Sequence, residues 1–194
     1  MIRRQMFNAF GVVVTLAAVI GAWQLPVVAQ HGHAQGDSAK SASAGALVKI
    51  VRENTERFKN VAAAEAEGYG LQFGCVSGPD WGAMGLHYVN FPLVLDGELD
   101  PAKPEIVIYE PLPNGKVQLV GADYLVFADA WHAKNQGSPQ LMGQLMHLIE
   151  APNRYGLPAF YTLHVWAWKE SPTGPFVNWH KNISCDQFRG GAAD

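Results

Sequence analysis

Cysteine is nearly absent from this 194-residue chain, with Cys75 and Cys185 as its whole complement. The two are expected as one disulfide, and with no neighbouring cysteine a thiolate metal or nucleophile site is the alternative. No block of Lys and Arg occurs, and the formal charge is −3. Such a chain is a poor partner for nucleic acid or anionic lipid. The sequence contains no nucleophile elbow, phosphate loop or dinucleotide fingerprint, which sets aside serine-hydrolase and nucleotide-dependent chemistry. The strongly apolar run from Phe10 to Trp23 falls short of the ~20 residues that span a bilayer.

That run nevertheless has a meaning. Arg3 and Arg4 precede it, Pro26 breaks it, and Val27 and Ala29 suit the −3 and −1 positions of a signal-peptidase site. Residues 1–29 are therefore expected as a signal peptide, with cleavage favoured over a retained anchor. The protein is expected to be periplasmic or extracellular, with no stable membrane insertion. Arg3-Arg4 fits an ordinary charged start or a twin-arginine signal. Removing the segment takes the formal charge to about −5. Residues 30–45, rich in Gly, Ser and Ala, are expected as a flexible leader. His31 and His33 within it would bind metal only adventitiously. About 150 residues then remain, enough for one domain over 46–188, with a disordered tail over 189–194.

The domain reads as α+β. Leu47, Val51, Phe58, Val61 and Ala62 recur at helical spacing, which predicts one long amphipathic helix from Ala46 to a stop at Gly68. Residues 86–95 and 161–169 read as strands, and 105–128 as a hairpin around Asn114-Gly115. Ser138, Pro139 and the spacing of Leu141, Leu145 and Leu148 predict one additional short helix before Pro152. The expected architecture is a long N-terminal helix packed on a curved antiparallel sheet, a roll or half-barrel.

The strings "HYVN", "YEP", "HVWAW" and "NISC" resemble a widespread family of uncharacterised exported bacterial proteins. The resemblance spans about Phe58 to Cys185 and implies one domain. It carries over no catalytic residue.

Candidate site residues come from strand faces. Period two puts Thr162, His164, Trp166 and Trp168 on one side of the last strand, and His87 beside Val89 and Phe91 on another. Glu110 shares a face with Ile106 and Ile108, and Asp123 with Leu119, Leu125 and Phe127. A carboxylate on an apolar face is costly unless paired, protonated or metal-bound. The expected pocket is lined by His87, Tyr88, Glu110, Asp123, Tyr124, His164, Trp166 and Trp168, and a small organic molecule is its expected ligand. The alternative is a metal-dependent enzyme in which His87, His164 and Glu110 hold a divalent zinc, copper or iron ion, with Asp123 as the other candidate carboxylate. A third reading is a structural module of the cell envelope. His147 and Glu150 read as a pair on one helix face, and His132 and His180 as solvated. Asn182-Ile183-Ser184 matches a glycosylation acceptor.

Overall fold

The structure, a computed structural model, describes residues 31–190, and side chains from Lys40 onward. The signal expected over 1–29 and most of the expected tail lie outside the described residues. The helix α1 runs His31–Thr55, so residues expected as a flexible leader are helical. It does not continue unbroken to Gly68. A 3-10 turn, Glu56–Lys59, follows it, and Asn60 adopts an extended conformation. The Asn60 side chain then accepts a bond from Ala62 N and caps a second helix, α2 (Val61–Ala66). The expected single helix is thus two helices with an asparagine cap between them.

Six strands follow: β1 (Gly70–Gly78), β2 (Gly82–Val89), β3 (Ile106–Pro111), β4 (Val117–Phe127), and, after the elements below, β7 (His147–Ile149) and β8 (Phe160–Val165). They form one antiparallel sheet in the order β1-β2-β3-β4-β8-β7. The Asn114-Gly115 hairpin is present as read, with Gly115 at φ 74°. Residues 91–95, expected to extend a strand, instead belong to the short helix α3 (Phe91–Asp96). Pro92 in its first turn and left-handed Gly97 at its end fix the boundaries. A further short helix, α4 (Ala128–His132), follows β4.

The helix expected between Ser138 and Pro152 does not form. Strands β5 (Gln140–Leu141) and β6 (Gln144–Leu145) make a tight hairpin there, and β7 follows. Met142 and Gly143 both have positive φ, at 47° and 77°, the pattern of a two-residue type I′ turn. The leucine spacing that imitates a helix is coincidental: Leu141 is buried, whereas Leu145 and Leu148 are exposed.

The helices cover one face of the sheet. Leu47 and Val51 of α1 pack on Ala122, Tyr124, Leu163 and Val165. Phe58 and Ala64 pack on Tyr88, Val107, Tyr109 and Leu119. Fully burying a Leu or Val side chain stabilises by about 1.5–3 kcal/mol, so this face accounts for much of the stability. The other face is concave and is closed by irregular segments carrying Tyr155, Leu157, Val177 and Ile183. Its curvature follows from one distance. β2 and β8 are three strand steps apart, about 14 Å in a flat sheet, yet the rings of His87 and His164 lie 5.7 Å apart. Two glycines permit this bending. A Cβ on Gly121 would lie 2.6 Å from Val165 O, and one on Gly85 would lie 2.5 Å from Tyr109 O.

Cys75 and Cys185 are bonded, as expected, across 110 residues. A loop of this length contributes about 4–5 kcal/mol in the chain-entropy model. Among the described residues no helix is long and apolar enough to cross a membrane.

Candidate metal centre

Strand register places the polar groups of the concave face. Asp123 on β4 is directly opposite His164 on β8. A bulge at Ile108/Tyr109 of β3 leaves Val120 as the extra residue of β4. It sends Leu119 to the helix-covered face and leaves Asp123 and Leu125 on the concave one. A second register shift, between Val76 and Ser77, leaves Met84 as the extra residue of β2. Met84 and His87 consequently both line the cavity. In β1, Phe73 and Gly74 fall outside the ladder with φ 62° and 61°, and Phe73 also lines the cavity. A phenylalanine in the left-handed region costs roughly 1–2 kcal/mol, which its ring packing on Tyr155, 5.4 Å away, helps to offset. Asn153 Oδ1 accepts from Tyr155 N and Leu157 N and folds their loop over the opening.

The cavity, partly open to solvent, has a volume of about 40 Å³. It is walled by apolar side chains, with His87, Asp123, Thr162, His164 and Asn178 as polar members. One ligand-capable atom each from His87, Asp123 and His164 lies within 4.8 Å of the other two. His87 Nδ1 lies 3.2 Å from Gly85 O. Since a carbonyl can only accept, Nδ1 carries the hydrogen and Nε2 presents a lone pair. Asp123 Oδ1 accepts from Thr162 Oγ1 at 2.6 Å and from Leu163 N at 3.1 Å. His164 Nδ1 is 3.5 Å from the same oxygen, without the alignment of a hydrogen bond. Neither nitrogen of His164 has a partner at full hydrogen-bond geometry, nor does Asn178 Oδ1, although Asn178 lies close enough to act on the ring as a hydrogen-bonding neighbour. An orphaned buried donor or acceptor costs about 1–3 kcal/mol.

Burial dominates the protonation of all three groups. It lowers the pKa of His87 to about 4, with His164 adding to the effect. It lowers that of His164 to about 3, reinforced by His147 and opposed by the Asn178 side chain. It raises that of Asp123 to about 6, against the stabilising influence of His87 and the Thr162 hydroxyl. At neutral pH the site is therefore two neutral imidazoles and one carboxylate, a net charge of −1 with no Lys or Arg among the lining residues. Two imidazole nitrogens and a carboxylate oxygen at this spacing form a donor set for zinc, iron or copper, with coordination positions left open.

Of the expected pocket residues, His87, Asp123 and His164 come together. Glu110 does not, because its carboxylate accepts from Lys169 Nζ at 2.6 Å and from Ser184 N. Tyr88 lies on the helix-covered face against Tyr109. Tyr124 lies there too, its hydroxyl donating to Pro101 O. Trp166 packs beside His164, 5.7 Å ring to ring, and donates to Val177 O. Trp168 leaves that face because the strand ends at Val165 and Ala167 N turns back to Val165 O. Its indole donates to Thr55 Oγ1 on the helix side and lies under Lys59. His180 is fully buried rather than solvated, and its Nδ1 accepts from Asn182 N. His132 is exposed, as expected, and its Nε2 is bonded to the Tyr161 hydroxyl. His147 and Glu150 share no helix, since His147 opens β7. Phe73, Met84, Tyr155 and Asn178 are lining residues that the strand-face reading misses. Only Gly74 and Gly85, next to two of them, signal the irregular backbone that turns them inward.

Comparison of the chain with known proteins returns no matching family model, no matching curated protein and no matching solved structure.

Proposed function

We propose that this is an exported protein that holds one divalent transition-metal ion on His87, Asp123 and His164, leaving open coordination positions toward a small apolar chamber. One observation carries the reading: His164 is buried with both nitrogens unpartnered, facing a carboxylate oxygen at 3.5 Å. A metal ion would accept the lone pair of the His164 nitrogen that carries no hydrogen. It would also offset the buried negative charge of Asp123. The Gly85 carbonyl on His87 and the Thr162 hydroxyl on Asp123 then act as orienting partners of the ligands.

Three protein ligands with positions left open are the arrangement of catalytic rather than structural metal sites. An ion so held would polarise a bound water or small ligand. The chamber limits what that ligand is. About 40 Å³ is room for a few atoms, far below the ~300–1,000 Å³ of organic-ligand pockets. The expected small-molecule pocket narrows accordingly to a metal and a ligand of water or diatomic size. The bonded Cys75–Cys185 pair supports residence in an oxidising compartment, in line with the export signal read from residues 1–29.

Cobalt(II) substitution tests the centre. One equivalent added to metal-free protein is expected to give the visible absorption bands of a four- or five-coordinate site. His164→Phe is expected to abolish them while circular dichroism stays unchanged. A folded wild-type protein that gives no such bands would refute the reading.

A further inference from the structure

A buried centre needs a route by which its ion arrives, and one histidine outside the triad lies exposed at the sheet edge, paired with a cavity-lining residue. β7 is the edge strand of the sheet, and its first residue, His147, pairs with Thr162. Ile149, two residues on, pairs with Phe160. Ile149, Phe160 and Thr162 all line the cavity, so by period two His147 lies on the same concave side. His164 is two residues beyond Thr162 on that face, which makes His147 and His164 diagonal cross-strand neighbours. Such pairs have Cα atoms about 7–8 Å apart, within reach of imidazole side chains. No β7 residue pairs with His164, because the strand begins at His147. The two rings differ sharply in environment: His147 is exposed and His164 is buried.

We propose that His147 is an outer capture ligand, which takes the divalent ion from solvent at the sheet edge and passes it to His164. The inference rests on the metal reading above. It adds a role for a residue that the triad does not include. His147 would hold the ion only in transit, since it is not part of the group whose donor atoms lie within 4.8 Å of one another. A relay of this kind speeds loading and release alike. It leaves the final coordination and affinity unchanged.

The test is stopped-flow loading of metal-free full-length chain with cobalt(II), comparing wild type with His147→Ala and His147→Gln. Both variants are expected to load about 10-fold more slowly, within the range over which residues outside the ligand set alter metal sites. Release to a chelator is expected to slow by the same factor, with the final spectrum and Kd unchanged. Equal loading rates in wild type and variants would overturn the relay while leaving the triad standing. A changed final spectrum would also overturn it, making His147 a permanent ligand. Wild-type protein that takes up no cobalt would overturn both readings.

Discussion

The two faces of the sheet both bury apolar side chains but differ in how they treat polar atoms. On the helix-covered face, Tyr69 donates to Pro104 O, Tyr109 to Phe58 O and Tyr124 to Pro101 O, while Trp168 donates to Thr55. These four polar tips each find a partner within hydrogen-bond distance, although Gln144 Nε2 and Asn90 Oδ1 elsewhere in the fold do not. On the concave face both nitrogens of His164, Asn178 Oδ1 and, behind Trp166, His180 Nε2 have none. The concave face thus carries buried polar groups at a cost in stability, which the proposed metal centre would offset.

The largest expected effect sharpens this contrast through binding. Asp123→Asn and His164→Phe should each weaken metal affinity by more than about 100-fold, beyond what loss of a mere orienting partner costs; competition with a chromophoric chelator would measure it. On the helix-covered face the large effect is on stability. Tyr109 is fully buried, and Tyr109→Ala is expected to cost about 3–5 kcal/mol in urea unfolding. Next comes the hinge of the curvature. Gly121→Ala would set a Cβ against Val165 O, and a loss of about 1–3 kcal/mol is expected. Tyr124→Phe removes only the bond to Pro101 O, so about 1 kcal/mol should go.

The smallest effect is the most telling. His164→Phe in metal-free protein should leave stability at neutral pH unchanged or slightly raised, because an orphaned polar ring is exchanged for an apolar one. A pH series adds the sign. His164 titrates near 6.5 when unfolded and at about 3 when folded, so the unfolded chain binds the extra proton in between. Wild type should therefore lose stability relative to His164→Phe as pH falls from about 6.5 toward 3, by up to about 1.4 kcal/mol per pH unit. Equal pH dependence in the two proteins would break the comparison.

Much of this was legible in the residues, and what was missed has identifiable causes. Asn114-Gly115 between alternating apolar runs specified its hairpin directly, because few other dipeptides accept the turn. His87 and His164 were found because an imidazole on an apolar strand face stands out from its neighbours. The carboxylate was read less well. Period two gives Glu110 and Asp123 equal claims, and the bulge at Val120 and the lysine at 169 separate them only in three dimensions. Residues 138–152 were misread because three leucines at helical spacing outweigh a Met-Gly turn, which carries a weaker signal than Asn-Gly. Trp168 was placed on the wrong face because alternation was carried past Val165, where the strand ends. Bulges and strand ends depend on partners far along the chain, and local periodicity does not contain them.

Elemental analysis of the full-length protein, purified without an affinity tag and without chelator, tests the central claim most directly. One zinc, iron or copper ion per chain is predicted for the wild type, and none for His164→Phe purified in parallel. Wild-type protein that is folded and metal-free, and whose melting temperature is unmoved by added zinc, iron or copper, would contradict it.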